Sequence, residues 1–414
     1  MKLKITWLFF VCVLIFQSNR LKAQADSSQI VPGKWSVERI ASWYKNQPWF
    51  VGANYYPATA INQIEMWQAS TWDPTTIDKE LKLAQSIGMN TMRVFLHDMV
   101  WTSDEKGLYK RMDQFLGICA KYIIKPSFVF FDDCHYLEPK LGVQPLPVRA
   151  WHNSGWNTSP ARELGIRFAK GTATDKEIAN LKGYVQKTIK RFKNDPRVLY
   201  WDLYNEPGRG TGESGTMEGS KGTKTSMGDL SAKLVLASWE WARDINPSQP
   251  ITSCTYGSLG ELNMAICHRN SDFHTIHSYG SGDMLQNTIT NYKREGRPLV
   301  VTEWLARTNN STVEDCLPVM KNNRVGAICW GFVSGKTGTV WPWSSRAGIP
   351  NVKYKDVNQK RLDGEVLKLG EVFPEPEVWF HDLFRMDGSP FSQAEIEIFR
   401  KLTTEVNGTK NSKK

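Results

Sequence analysis

Long hydrophobic runs are scarce in this chain of 414 residues. The longest, at 7–16, is about ten residues, shorter than the ~20 that a membrane-spanning helix needs, and no later stretch comes close to that length. A protein with several membrane-spanning helices is therefore excluded. No low-complexity tract is present, and a composition of 41% hydrophobic and 23% charged residues is typical of a globular protein.

Cysteine motifs and basic clusters are also missing. Of the seven cysteines, Cys12 lies in the N-terminal run, and the other six show no CxxC or Cys/His spacing of a metal site. Cys254 and Cys329 fall inside predicted buried strands, so we expect free thiols there. The formal charge is +10, but its basic residues are scattered and form no stripe interleaved with aromatics. Nucleic-acid binding is therefore not expected.

The N-terminus has the pattern of an export signal. Lys2 and Lys4 precede the apolar run, and the sequence LKAQA at 21–25 offers small residues for cleavage. We predict a signal peptide at 1–25, an exported protein that is periplasmic or extracellular, and no stable membrane insertion. An uncleaved anchor is the alternative. After cleavage the formal charge falls from +10 to about +6.

Apolar runs of strand length alternate with helical patterns along most of the chain. The eight runs lie at 49–57, 90–98, 123–133, 198–207, 250–257, 272–280, 298–306 and 325–335. Near-continuous apolar strands separated by helices are typical of a parallel sheet covered on both faces, and eight such units predict an α/β fold, the (β/α)8 TIM barrel. We predict one domain at 26–405 that ends in a helical extension, a disordered tail at 406–414, and a monomer.

Two glutamates lie at the ends of two of these runs. The run WDLYNEP ends in Asn205, Glu206 and Pro207, and VVTEW contains Glu303. A carboxylate is costly to bury without a partner, so two of them at the ends of buried strands indicate paired chemistry. Glycoside hydrolysis uses such a pair: one carboxyl group protonates the leaving oxygen and the other attacks the sugar carbon. The alternative is an Asn-Glu-Pro sequence that only ends a strand.

The neighbouring residues predict different roles for the two carboxylates. Arg93, in the second predicted strand, is the expected partner of Glu303, and an arginine beside a carboxylate lowers its pKa and keeps it ionised. Glu206 has no such partner in the sequence pattern. We therefore expect Glu206 to titrate at higher pH and to act as the acid. A purely structural ion pair between Arg93 and Glu303 would use the same contact.

These motifs resemble those of the clan A retaining glycoside hydrolases, close to the glycoside hydrolase family 5 cellulase-like group. The similarity covers roughly 49–335. It implies that Glu206 is the acid/base and Glu303 the nucleophile of a TIM-barrel enzyme. It also implies substrate-binding roles for a further set of residues: Arg93, Asn205, His277, Tyr279 and Trp330.

One region departs from the family pattern. Family 5 members usually carry a histidine late in the third-strand region, where this chain has Asp132, Asp133 and His135, while His97 lies at the end of the second predicted strand. Either His97 or His135 is a candidate to contact the sugar. The Asp/His cluster is also a candidate for a metal, but its spacing fits no strong metal signature, so we predict no metal and no cofactor.

The sequence thus predicts a secreted retaining hydrolase that cleaves β-glycosidic bonds of a polysaccharide or oligosaccharide. Retention predicts carboxyl groups about 5–5.5 Å apart. A transglycosylase on the same scaffold and a non-catalytic carbohydrate-binding protein are the alternatives. The motifs leave open the glycan, its linkage and the choice between endo and exo cleavage.

Overall fold

Short buried strands form the centre of the fold. The computed structural model describes residues 29–134, 138–209, 228–257, 260–345 and 357–411. The strand segments are β1 Val51–Asn54, β2 Thr91–Phe95, β3 Ser127–Asp132, β4 Trp201–Asn205, β5 Ile251–Thr252, β6 Cys254–Tyr256, β7 His274–His277, β8 Leu299–Glu303 and β9 Gly326–Cys329. They pair in parallel in one sheet with the order β5-β4-β3-β2-β1-β9-β8-β7-β6.

The sheet curls into a barrel whose fifth strand is in two pieces. β1 pairs with β9, and the two outermost segments, β5 and β6, are consecutive parts of the predicted strand at 250–257. Between them, the backbone N–H of Ser253 donates to the Ser271 hydroxyl (3.2 Å) and not to a neighbouring strand. β5 therefore pairs with β4, and β6 with β7. The predicted (β/α)8 barrel is confirmed.

Helices cover the outside of the barrel. They are α1 Val37–Lys45, α2 Gln63–Trp67, α3 Pro74–Ser86, α4 Asp98–Lys121, α5 Arg162–Lys170, α6 Asp175–Phe192, α7 Ala232–Ile245, α8 Glu261–Asn270, α9 Gly282–Lys293, α10 Val313–Asn322, α11 Val357–Leu362 and α12 Gln393–Asn411. Short 3-10 helices lie at Gly228–Ser231, Arg307–Asn309 and Trp343–Ser345. α4 is kinked at Asp104, whose backbone is not helical.

Capping residues and an apolar face explain how these helices form. The Asp73 carboxylate accepts the Thr76 N–H just before α3 begins at a proline, and Thr174 and Glu177 form a capping box at the start of α6. The apolar residues of one face of α3, with the residue that follows it, are fully buried: Ile77, Leu81, Ala84 and Ile87. Burial of that face fixes the helix on the sheet.

The C-terminal segment packs on the barrel, as the predicted helical extension requires. Phe399 in α12 is fully buried, and its ring lies 6.3 Å from that of Trp304. α12 continues to Asn411, past residue 406, where we predicted the disordered tail to begin. No proline interrupts this part of the sequence, although Asn407 and Gly408 are weak helix formers.

The structure also bears on the membrane and cysteine predictions. Across the described ranges, no helix is both long and apolar enough to cross a membrane. The predicted signal peptide at 1–25 lies outside those ranges and stays a prediction. The six cysteines in the described ranges are buried, and none of them forms a disulfide there. Cys254 and Cys329, where we expected free thiols, are both fully buried.

Candidate active site

The two predicted glutamates come together at the carboxyl end of the barrel. Glu303 is the last residue of β8, and Glu206 follows the last residue of β4. Both side chains are buried, and one oxygen of the Glu206 carboxylate lies within 4.8 Å of one oxygen of the Glu303 carboxylate. Glu206 has a left-handed backbone, with φ +40. Such a conformation is strained for a residue with a side chain and is frequent at functional sites.

Arg93 connects these elements from inside the barrel. Its guanidinium lies 3.2 Å from a Glu303 oxygen, which confirms the predicted contact, and 2.9 Å from Asp202. It also donates to the side-chain oxygens of Asn54 and Asn205, each at 2.8 Å. Its positive charge is therefore shared between two carboxylates, and its orientation is fixed by four partners.

Tyr279 and His277 contact the carboxylates from the β7 side. The Tyr279 hydroxyl donates to Glu303 Oε2 at 2.7 Å. His277 Nδ1 lies 2.7 Å from Glu206 Oε1 and 3.3 Å from Glu303 Oε2, so it bridges the pair. On the other side of the ring, Nε2 lies 3.6 Å from the Cys254 sulfur. The predicted group of Tyr279, His277 and the two glutamates is thus assembled in one place.

Burial and charge act together on the ionisation of this group. Burial raises the pKa of Glu303 and the Glu206 carboxylate adds to that shift, while His277 and Arg93 oppose it. The expectation that Arg93 keeps this pKa low is therefore wrong, because complete burial outweighs the arginine. Burial opposes a charge on His277, but the Cys254 sulfur and Glu303 outweigh it and raise the pKa of His277 well above its usual range.

Glu206 has more partners than the sequence suggested. Besides His277, its Oε2 lies 3.1 Å from Arg209 Nε and accepts a hydrogen bond from the Cys134 thiol at 3.2 Å. Arg209 also donates to the Gly257 carbonyl at 2.7 Å, which fixes its position. The expectation that Glu206 lacks a charged partner is wrong. Arg209 follows three residues later and reaches back because the chain turns at the left-handed Glu206.

The two aspartates at the end of β3 accept hydrogen bonds from the neighbouring backbone and side chains. Asp132 accepts hydrogen bonds from Asn205 Nδ2 (3.0 Å), from Trp156 Nε1 (2.8 Å) and from the Cys134 N–H (2.9 Å). Asp133 accepts from the Tyr204 hydroxyl at 2.7 Å and from other donors. Burial raises the pKa of both aspartates. Asp132 therefore holds the amide of Asn205 next to Arg93.

The two histidine candidates for the sugar contact have different outcomes. His97 caps the start of α4: its Nδ1 accepts the Met99 N–H at 3.2 Å, while Nε2 contacts the Thr158 carbonyl at 3.0 Å. The ring is fully buried and both nitrogens face protein atoms, so the structure does not bring His97 to the carboxylate pair. His135 lies outside the described residues.

Trp330 follows β9 and belongs to an aromatic group at the same end of the barrel. Its ring centroid lies 5.7–6.2 Å from those of Trp156, Phe95 and Tyr56. The Arg93 guanidinium lies over the Phe95 ring, 4.8 Å from its centroid. This contact connects the aromatic group to the charged centre. A sugar-binding role for Trp330 stays a prediction.

Several functional neighbours were missed by sequence reasoning. Asp202 and Asn54 had a usable signal, because each is a polar residue inside a buried apolar run. Trp343 had none: it lies beyond the eighth predicted strand, yet its ring meets that of Tyr279 edge to face at 4.9 Å. Arg209 and Cys134 lie in loops, and their contacts depend on turns that the pattern does not reveal.

The fold and this carboxylate pair define a glycosidase, an enzyme that hydrolyses O-glycosyl bonds. Residues 150–335 match the family model of cellulase (glycosyl hydrolase family 5). The match includes Glu206 and Glu303 and confirms the resemblance to the cellulase-like group of clan A. A comparison with curated proteins found no match to this chain.

Two solved structures share the fold. The endo-beta-1,4-mannanase from Thermotoga petrophila has a TM-score of 0.51 and 13% identity, over 90% of this chain and 80% of that protein. The exo-beta-1,4-mannosidase Op5Man5 from Opitutaceae bacterium strain TAV5 has a TM-score of 0.52 and 16% identity, over 87% of this chain and 60% of that protein. At these identities the likeness concerns the fold alone.

Proposed function

We propose that this glycosidase cleaves β-glycosidic bonds with retention of configuration, through a covalent intermediate on Glu303. The observation that carries the proposal is the separation of the carboxylates, whose oxygens lie within 4.8 Å. Retaining enzymes need carboxyl groups about 5–5.5 Å apart, whereas inverting enzymes need about 6.5–9.5 Å to hold a water molecule between carboxylate and sugar. A contact this short between one oxygen of each carboxylate favours the retaining arrangement over the inverting one.

In the first step, Glu206 is the acid and Glu303 the nucleophile. The Glu206 proton moves to the glycosidic oxygen as the bond to the anomeric carbon breaks, and a Glu303 oxygen forms a bond to that carbon. The hydrogen bond from Tyr279 and the contact with Arg93 hold Glu303 in a fixed orientation. Orientation of the attacking oxygen lowers the barrier without any change in its basicity.

In the second step, the Glu206 carboxylate takes a proton from water, and the water oxygen attacks the anomeric carbon. The bond to Glu303 breaks, and the sugar leaves with its original configuration. His277 supports the change of role, because its Nδ1 lies 2.7 Å from Glu206. One proton can lie on the His277 imidazole, which leaves Glu206 ionised, or on Glu206, which leaves the imidazole neutral. The two states differ only in the position of that proton.

The substrate we propose is a β-linked polysaccharide or oligosaccharide, and we propose that the enzyme is exported. Export rests on the N-terminal pattern at 1–25. The two structural neighbours are named for β-1,4-mannan and mannoside cleavage. We therefore put β-mannans on the substrate panel beside glucans, xylans and galactose-containing glycans.

Azide rescue tests both the mechanism and the roles. In Glu303→Ala, azide should replace the lost nucleophile and give a glycosyl azide of inverted configuration. In Glu206→Ala, azide should intercept the intermediate in place of water and give a product of retained configuration. NMR of the anomeric proton distinguishes the two. Glu397→Ala, an exposed carboxylate on α12, is the matched control and should keep wild-type activity.

Two results would overturn the proposal. Hydrolysis at the wild-type rate by Glu303→Ala would show that this carboxylate is not the nucleophile. A wild-type product of inverted configuration would exclude the double displacement altogether. Binding of glycans without turnover of any substrate on the panel would favour the non-catalytic alternative.

A further inference from the structure

A second cluster of ligating side chains lies at the opposite end of β7 from His277. His274 is the first residue of β7, His268 is in the last turn of α8, and Glu295 follows α9. Three separate elements therefore bring two imidazoles and one carboxylate together. None of these residues contacts the catalytic pair in the described structure, so the glycosidase mechanism does not account for them.

The three side chains converge on one point. Glu295 Oε2 lies 2.8 Å from His268 Nε2 and 2.9 Å from His274 Nε2. The three potential ligand atoms lie within 4.8 Å of one another. The imidazole rings are nearly parallel, with centroids 4.7 Å apart, so their Nε2 edges face the same carboxylate. An ion bound between the three atoms requires the Glu295 carboxylate to move back from both imidazoles, because its Oε2 is in direct contact with each Nε2.

His274 is the unusual member of this cluster. Its side chain is 1% exposed, and within the described part of the chain its Nδ1 has no hydrogen-bond partner. Its Nε2 lies 2.9 Å from Glu295 Oε2, so this nitrogen faces the carboxylate. A buried polar nitrogen without a protein partner is rare, and a bound ion or water molecule close by is one explanation.

We propose that His268, His274 and Glu295 bind a divalent transition-metal ion, with Zn²⁺ as the expected occupant. Two imidazole nitrogens and one carboxylate oxygen suit zinc, cobalt or nickel, whereas calcium and magnesium prefer sites built from oxygen atoms. His268 and Glu295 are partly exposed, so water can complete a tetrahedral shell. The role is structural, because the ion would link α8, β7 and the turn after α9.

The charges around the cluster favour a metal ion that bonds to nitrogen, and they limit the affinity of the site. Lys34 and Arg297 lie near the cluster, but Lys34 donates to the Arg269 carbonyl, and Arg297 donates to the carbonyls of Trp35 and Asp272. These cations weaken any purely electrostatic attraction for a metal ion. Selection must therefore come from bonding to the imidazole nitrogens, which again points to zinc and its neighbours.

Metal titration of the intact protein tests the site. After treatment with a chelator, Zn²⁺ is added and followed by calorimetry, and Co²⁺ is followed by its visible absorption, which reports a tetrahedral site. The wild type should bind one ion and show a higher Tm with it. His268→Ala and Glu295→Gln should each weaken binding by at least about tenfold and abolish the rise in Tm. Both variants should fold, because His268 is partly exposed and Glu295→Gln keeps the shape of the side chain.

Two further variants separate this site from other sources of binding. The catalytic trio Glu206, His277 and Glu303 also offers ligand atoms within 4.8 Å, so Glu303→Gln tests binding there. We expect Glu303→Gln and the surface control Glu397→Gln to bind like the wild type. No binding by the wild type, undiminished binding by both cluster variants, or loss of binding in Glu303→Gln alone would overturn the proposal.

Discussion

A buried ion pair should make the C-terminal segment essential for stability. Arg307, just after β8, forms two hydrogen bonds with the Glu395 carboxylate, at 2.7 and 2.6 Å. It also donates to the carbonyls of Trp379 (3.2 Å), His381 (2.9 Å) and Asp382 (2.9 Å). Both charged side chains are only 6% exposed. One guanidinium thus holds the segment 379–382 and the first turn of α12 against the barrel.

The change Arg307→Met should be severely destabilising. It keeps much of the apolar stem but leaves a buried carboxylate unpaired and three carbonyls without this donor. Removal of one partner of a buried ion pair costs about 3–5 kcal/mol. The matched control is Arg385→Met, which breaks a similar two-pronged contact with Glu375 where both side chains are about one-third exposed. An exposed pair contributes only about 0.2–1 kcal/mol.

Urea unfolding, followed by circular dichroism and tryptophan fluorescence, measures both free energies. The double variant Arg307→Met/Glu395→Met should recover part of the loss, because no unpaired charge then stays buried. The reasoning would be refuted if Arg307→Met and Arg385→Met changed the free energy of unfolding by similar amounts below about 1 kcal/mol. It would also fail if the double variant lost more free energy of unfolding than the two single variants lose together.

Three further changes test the ionisable groups. Glu206→Gln should lower kcat about 10²–10⁴-fold for substrates with poor leaving groups, and much less for activated aryl glycosides that need no acid. Tyr279→Phe removes a hydrogen bond to Glu303 worth about 1.5–3 kcal/mol, so kcat/KM should fall about ten- to a hundredfold. That bond lowers the pKa of Glu303, so its loss should move the acidic limb of the pH profile upward. Burial raises the pKa of Glu80 from 4.5 to about 8, so the folded protein holds this proton more tightly than the unfolded chain. The stabilisation from protonated Glu80 is therefore complete below about pH 4.5 and is lost as the pH rises through 8. Glu80→Gln should therefore gain stability relative to the wild type across that range.

Each of these expectations has a contrary result. Equal losses on good and poor leaving groups would contradict an acid role for Glu206. An unmoved acidic limb in Tyr279→Phe would show that the pKa of Glu303 does not govern that limb. Parallel curves of stability against pH for the wild type and Glu80→Gln would mean that Glu80 titrates alike in the folded and unfolded chains.

The fold was predictable because a parallel sheet covered on both faces requires apolar runs at regular intervals. The ends of the strands were harder to predict, because apolar residues continue past the last residue that pairs in the sheet. The run at 325–335 contributes only Gly326–Cys329 to the sheet, because Trp330 already packs in the aromatic group. The predicted strand at 250–257 also runs through Ser253, where the pairing between strands is interrupted. That break depends on a hydrogen bond from a distant serine, which no local pattern contains.

The site was predictable where a residue type is costly to bury. Glu206, Glu303 and Arg93 stand out in apolar strands, and the contact between the last two is confirmed. Their ionisation was not predictable from pairwise reasoning. The sequence suggested one partner for Glu303 and none for Glu206, whereas Arg209 reaches Glu206 from three residues further along the chain and His277 reaches it from β7.

The close approach of the two glutamates is possible because the whole site is nearly balanced in charge. Three carboxylates and three cationic groups form one connected set: Glu206, Glu303 and Asp202 with Arg93, Arg209 and His277. Without the cations, two buried carboxylates this close could not both ionise. Since His277 touches both glutamates, their protons are shared by a coupled system and belong to neither residue alone. The division of labour between acid and nucleophile must then come from orientation. Tyr279 and Arg93 hold Glu303 rigidly, while the partners of Glu206 include His277, whose imidazole lies close enough to exchange a proton with it.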